Sequence, residues 1–181
     1  MQSSKERNLV KKIQKGNEKA FKKLYDQYAS YALRTAFAMT KNNADASDIV
    51  QETFIRVYRN IDSFDVKMPF KPWFYRILIN EGKRVLDKRK REAMPIESNE
   101  NLDAIQQTTD RKPMNGKILE ALDHVSDDDR TLMILKYVDR FTEKELAETM
   151  GINVNTLKSR LLRARKRLKE VYAGGEFHDG P

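Results

Sequence analysis

The sequence predicts an all-α protein of two small helical domains joined by a flexible linker, the second domain containing a helix-turn-helix. Three observations carry this. Apolar residues recur at helical period in segment after segment. The stretch EAMPIESNENLDAIQQTTDRKP, from Glu92 to Pro113, is polar, partly acidic and without period, so it reads as a tether between domains. Finally, Phe141 to Tyr172 reads as two helices about a tight turn, the second strongly basic. The expected divisions are 1–92, a linker over 93–113, a second domain over 114–173 and a disordered tail over 174–181.

In order along the chain, Ser3 or Ser4 can cap a short helix with Leu9, Val10 and Ile13 on one face, stopped by Gly16. Asn17 caps a longer helix whose Phe21, Leu24, Tyr25, Tyr28, Ala32 and Phe37 form an apolar stripe, most simply core. The polar break Lys41-Asn42-Asn43 precedes ADASDIVQETFIRVYRNIDSF. There Val50, Phe54, Val57, Tyr58 and Ile61 form the face expected to be buried. Asp45, Asp48, Gln51, Glu52, Arg56 and Arg59 face out. The carboxylates Asp45, Asp48 and Glu52 suggest a hard-cation site only weakly, because one helix surface holds them too far apart for a closed shell. A solvated or protein-docking face is the better reading, and no metal is expected.

Phe64, Phe70, Trp73, Phe74 and Tyr75 then cluster around Pro69 and Pro72, which should enforce an ordered loop. The helix WFYRILINEGKRVLDKRKRE follows, and from Lys83 to Arg91 it carries six basic residues against one acid. Rings beside a basic helix suit single-stranded nucleic acid, since rings stack on unpaired bases while cations follow the backbone. The plainer reading, that the rings are core, applies best to Phe74 and Tyr75. Gly82 costs this helix ~1 kcal/mol relative to Ala for no reason visible in the sequence.

Beyond the linker, Met114 to Val125 is a helix with Ile118, Leu119, Leu122 and Val125 apolar. Ser126 caps the next, where Asp127, Asp128 and Asp129 suit the positive helix start better than a catalytic cluster. Leu132, Met133, Leu135, Tyr137 and Val138 should complete a small core. Thr142 and Glu145 form a capping box, and Gly151 suits the left-handed position past the helix end. Asn153 or Asn155 caps the final helix. At ~100° per residue, Leu157, Leu161, Ala164 and Leu168 share one stripe. Ser159, Leu162, Arg163 and Lys166 point the other way, with Thr156, Lys158 and Arg160 on the flanks. From Asn155 to Glu170 there are seven Lys or Arg and one acid. In a helix-turn-helix the start of the second helix meets base edges and later basic residues hold phosphates.

Composition narrows the function classes. A net charge of +8 and pI near 9.5 favour a polyanionic partner. Mean hydropathy is -0.75, and neither a spanning segment nor a signal-peptide core is present, so the expected location is the cytoplasm. Without cysteine there is no disulfide or thiolate metal site. His124, on an apparent helix, and His178, in the tail, offer little for acid-base work. No catalytic residue, cofactor, small-molecule substrate or membrane insertion is expected.

The order DASDIVQETFIRVYRNIDSF, FKPWFYRILIN, a basic helix, a linker and INVNTLKSRLLRARKRLKE closely resembles the extracytoplasmic-function (ECF) group of bacterial sigma-70-type sigma factors. The resemblance implies a non-enzymatic transcription initiation factor that gives core RNA polymerase its promoter specificity. By that likeness Asp48, Gln51, Glu52 and Arg56 dock on the clamp coiled coil of the largest polymerase subunit. The loop and helix from Ile61 through Phe74 to Arg84 open the minus-10 element and capture an unpaired non-template base, with Phe64, Lys71, Trp73, Arg76, Asn80, Lys83 and Arg84 as contacts. Thr156, Lys158, Ser159, Arg160, Leu162, Arg163 and Lys166 would bind minus-35 duplex. An anti-sigma partner is also implied. Asn155 stands where Gly is frequent in that group, Leu78 where Ala is, and Gly82-Lys83-Arg84 is unusual there. Two other readings compete: a stand-alone helix-turn-helix regulator that needs no polymerase, and a small recombinase, for which the N-terminal half shows no convincing nucleophile set.

Overall fold

A computed structural model describes residues 4–92, 122 and 125–171. The chain divides into two compact units, Met1–Leu102 and Asp103–Pro181. Among the described residues every regular element is helical, and none is long and apolar enough to cross a membrane. The expected linker, the helix before Val125 apart from Leu122 and Val125 themselves, both histidines and the tail lie outside the described residues.

The first unit contains α1 (Ser4–Ile13), α2 (Glu18–Thr40), α3 (Asn43–Asn60), a 3-10 turn (Ile61–Ser63) and α4 (Phe70–Glu92). Each boundary has a local cause. Gly16 takes φ 77° after α1, a conformation that costs glycine nothing. The Asn17 side chain accepts from Ala20 N–H at 2.9 Å and the Asn42 side chain from Asp45 N–H at 2.9 Å, so each satisfies an orphan donor at a helix start. Lys41 turns the chain between α2 and α3 in the left-handed region at φ 51°. Pro72 does not hold the chain out of helix as expected. It sits in the first turn of α4, where its missing N–H would have had no helical partner anyway.

Helix α2 packs along α3 and α3 along α4, with α1 against α2 and α2 also touching α4. Leu24, Tyr28, Ala32, Ile49, Phe54, Val57, Phe70, Phe74, Tyr75 and Leu78 are buried between them. The rings meet edge-on or tilted: Tyr28 on Phe70 and Phe74, Phe54 on Phe74, and Phe64 on Phe70 and Trp73. Such pairs add ~0.5–1.5 kcal/mol beyond area burial. The Tyr28 hydroxyl donates to the Glu6 carboxylate of α1. Burial and that carboxylate push its phenol far above the ordinary range, so Tyr28 keeps its proton. Tyr25 and Tyr58 depart from the expected buried face: they are 45% and 53% exposed, Tyr25 leaning on Phe54 and Tyr58 meeting Phe21 edge-on.

The packing explains Gly82. A Cβ there would stand 2.4 Å from Cε and 2.7 Å from Sδ of buried Met39. With glycine, α4 passes close to the thioether end of Met39 on α2, and a Cβ would require that end to shift.

The second unit contains α5 (Asp127–Met133), a π-helical turn (Ile134–Val138), α6 (Glu143–Met150) and α7 (Val154–Val171). Ser126 accepts from Asp129 N–H at 3.2 Å, and the Thr142–Glu145 capping box forms in both directions. Gly151 ends α6 at φ 67°. Asn153, rather than Asn155, caps α7, accepting from Thr156 N–H at 2.7 Å. Leu157, Leu161, Ala164 and Leu168 are buried as the stripe predicts, beside Leu132, Leu135, Phe141 and Leu146. Tyr137 was expected in this core but is 49% exposed. The π turn changes the phase of the helix, and Ile134 is buried instead.

Arg130 carries no signal of its role in the sequence. It is buried, and donates to Leu122 C=O at 2.9 Å, Val125 C=O at 3.3 Å and Asp127 at 2.9 Å. It braces the carbonyls just before α5, adding to the 3.4 Å bond that Leu122 C=O receives from Val125 N–H.

Candidate nucleic-acid interface

Helices α5 and α6 both pack on α7, which presents its opposite face outward. Thr156, Lys158, Ser159, Leu162, Arg163 and Lys166 are all exposed. Leu162 is 64% exposed, as suits a contact with a thymine methyl. A shallow groove lies along the start of α7, lined by Asn153, Asn155, Thr156, Ser159 and Arg163. Lys158 stands 3.7 Å from Glu143 and Lys166 4.0 Å from Glu170, both pairs in solvent. Pairs of that kind are weak and exchange readily for phosphate.

Arg160 is the exception among the expected minus-35 residues. Its side chain is 18% exposed, and its Nε and Nη2 donate to Asp129 Oδ1 at 2.9 and 2.8 Å, with Asp128 3.7 Å away. The flank position of residue 160 turns the guanidinium back onto α5. The acidic start of α5 therefore does more than answer a helix dipole, since it anchors the recognition helix.

On α3, Asp48 and Gln51 are exposed, and Glu52 and Arg56 half-buried. Arg56 Nε bridges Glu52 at 3.0 Å and Glu81 of α4 at 2.8 Å. Glu81, its side chain 5% exposed, also receives Arg84 Nη2 at 2.8 Å. Sequence reasoning missed Glu81, although its spacing of three from Arg84 was a usable signal. Asp48, Gln51, Glu52, Glu81 and Arg84 line one cleft of about 300 Å³ between α3 and α4. Asp45 leaves this set, because it pairs with Arg89 of α4. No metal-holding group of carboxylates or histidines occurs among the described residues.

The expected minus-10 residues divide by depth. Arg76, Asn80, Lys83 and Arg84 are exposed along α4. Lys71 and Trp73 are half-buried at its start. Phe64 is buried against Phe70 and Trp73. The aromatic loop is thus mainly core, against the reading of it as a stacking surface, and Trp73 alone of its five rings keeps partial exposure. Met68, 48% exposed in the loop, went unnoticed in the sequence.

A capped two-helix turn carrying an exposed polar and basic face defines the second unit as a helix-turn-helix DNA-binding domain. Comparison with known proteins extends this to the whole chain. Residues 24–92 match Sigma-70 region 2, and residues 115–168 match Sigma-70, region 4. The ECF RNA polymerase sigma factor SigW of Bacillus subtilis is 30% identical over 174 residues, covering 89% of this chain and 93% of that protein. The ECF RNA polymerase sigma-E factor of Haemophilus influenzae is 29% identical, covering 89% and 92%. Among solved structures, the sigma factor RpoE from Bartonella quintana, in complex with the anti-sigma factor NepR, superposes with a TM-score of 0.73 at 29% identity, covering 87% of this chain and 99% of that one. CnrH, in complex with the cytosolic domain of CnrY, shares the fold at TM-score 0.70 and 21% identity, covering 94% and 98%. The chain belongs to the sigma-70 family, in its ECF group.

Proposed function

We propose that this sigma factor meets core RNA polymerase with the outward face of α3, Asp48, Gln51, Glu52 and Arg56. The 61–69 loop, Trp73 and the outer side of α4, with Lys71, Arg76, Asn80, Lys83 and Arg84, take the minus-10 element. Thr156, Lys158, Ser159, Leu162, Arg163 and Lys166 take the minus-35 duplex. Phe64 and Arg160 serve these faces from behind, the first under Trp73 and the second by tying α7 to α5. The chain is an initiation factor, not an enzyme: it directs core polymerase to promoters and aids strand opening. An anti-sigma partner and a cytoplasmic site of action complete the reading, with domains at 1–92 and 114–173 joined through 93–113.

One observation carries it: the two sigma-70 regions match in order, one to each compact helical unit. Two tethered units that grip two DNA elements raise each other's effective concentration, so weak contacts suffice. Opening then draws on binding energy, with stacking of a captured base contributing ~1–3 kcal/mol.

The test is co-elution of the purified protein with bacterial core RNA polymerase, followed by footprinting on a promoter fragment. Protection that requires both components supports the reading. Tight duplex binding by the protein alone, with no affinity for polymerase, would return it to the class of stand-alone regulators.

A further inference from the structure

Just past α1, the Gln14 carboxamide reaches across the first unit. Its Nε2 donates to Ile61 C=O and to Phe64 C=O, each at 2.8 Å. These carbonyls bracket the 3-10 turn that ends α3, and the turn's own bond, Phe64 N–H to Ile61 C=O, is 3.1 Å. A carbonyl oxygen has two acceptor sites, so Ile61 C=O takes the Gln14 bond beside its turn bond, and the amide nitrogen carries two hydrogens, one for each carbonyl. Gln14 therefore closes the turn from outside.

Both ends of this clasp are fixed. On the donor side Val10 and Ile13 are buried, Glu6 accepts from Tyr28, and Asn17 N–H returns to Lys12 C=O at 3.1 Å. On the acceptor side the Phe64 ring lies 4.7 Å from Trp73 and 5.7 Å from Phe70. The backbone of residue 64 is thus held by Gln14 and its side chain by the ring stack. The next residues, Asp65 to Met68, are largely exposed and lead into α4. Gln14 lies ahead of residue 24, where the match to Sigma-70 region 2 begins, so the clasp comes from chain ahead of the matched stretch.

We propose that Gln14 is a positioning residue for promoter strand capture: it fixes the 61–64 turn so that the 65–69 loop and Trp73 meet the unpaired minus-10 strand in one preset geometry. This rests on the reading of that loop as the strand-binding element. Holding a loop in its bound shape removes an ordering cost that would otherwise weaken binding.

The test uses the full chain with core polymerase and compares Gln14→Glu with the wild type and with Trp73→Ala. Glutamate keeps the stem and the shape but presents oxygens to two carbonyls, replacing two attractions by repulsion. Binding of the holoenzyme to a single-stranded non-template minus-10 oligonucleotide should fall about tenfold, the equivalent of one or two hydrogen bonds. Permanganate reactivity of promoter thymines should fall in parallel, while affinity for core and for a minus-35 duplex stays within about twofold. Gln14→Asn, one methylene shorter and able to reach at most one carbonyl, should lie between and serves if the glutamate variant fails to fold.

Two outcomes overturn the proposal: oligonucleotide binding unchanged in the Gln14 variants although Trp73→Ala lowers it, or a loss of core affinity as large as the loss of strand binding, which would make Gln14 a stabiliser of the fold only. If Trp73→Ala also leaves oligonucleotide binding intact, the strand-binding reading of the loop has failed and takes the proposal with it.

Discussion

Helices α4 and α7 are both long, basic and amphipathic, yet they use their cations differently. In α7 the buried stripe is aliphatic, the outward Lys158, Arg163 and Lys166 have at most weak pairs, and Arg160 alone turns inward. In α4 the arginines are held by carboxylates: Arg89 pairs with Asp45 of α3, and Arg84 with Glu81 one turn back on the same helix, which also holds Arg56 of α3. Charge density along the sequence is similar in the two. The charge available to a phosphate backbone differs, because a cation already held by a buried or half-buried carboxylate must give up that partner first.

The comparison can be sharpened by substitution. The largest effect should come from Leu157→Ala, which empties a fully buried site under α7. A loss of about 2–5 kcal/mol should appear as a lower denaturant midpoint for the second unit, and minus-35 binding should go with it. Arg163→Ala should come next, with about 1–3 kcal/mol lost at minus-35 if it reads a base. Holoenzyme transcription from promoters varied base by base would register that loss as relaxed preference at one position. Unchanged activity at the best promoter would remove Arg163 from the recognition face.

Arg160→Ala should behave unlike Arg163→Ala. It and Asp129→Ala should each lower stability by about 1 kcal/mol, and the double variant should cost less than their sum, since both break the same two-bond contact. Additivity would mean that the pair is not coupled. Smallest is Lys166→Ala, which should weaken binding alike on every sequence and reduce the salt slope by about 1. Arg89→Ala on α4 should leave the slope alone while loosening α4 from α3. Equal slopes for both variants would break the distinction drawn between the helices.

Features set by local chemistry were legible in the sequence. The caps at Asn17 and Thr142, the stops at Gly16 and Gly151 and the Leu157–Leu168 stripe all follow from what a backbone needs at helix ends and along one face. What escaped depended on partners far along the chain. The cluster of rings beside a basic helix reads equally well as a stacking surface or a core, and only the approach of Tyr28 and Phe54 from other helices decides for core. Arg160 and Asp45 look like surface charges until α5 and α4 come alongside. Glu81 looks like an ordinary helical carboxylate until Arg56 arrives from α3. The reason for Gly82 lies in Met39, which no periodicity links to it. For the site, periodicity gave the outward direction of α7, while the division of its cations into anchored and available did not follow from spacing.

The partial exposure of Trp73 has a practical side. It is the chain's one tryptophan, and it leans on Phe64 and Phe70 at the start of α4 with an edge open to solvent. The isolated protein therefore has a single indole emitter at the place where a displaced DNA strand is expected. Its fluorescence can report base stacking, movement of the 61–69 loop or loss of the Gln14 clasp without any label being attached.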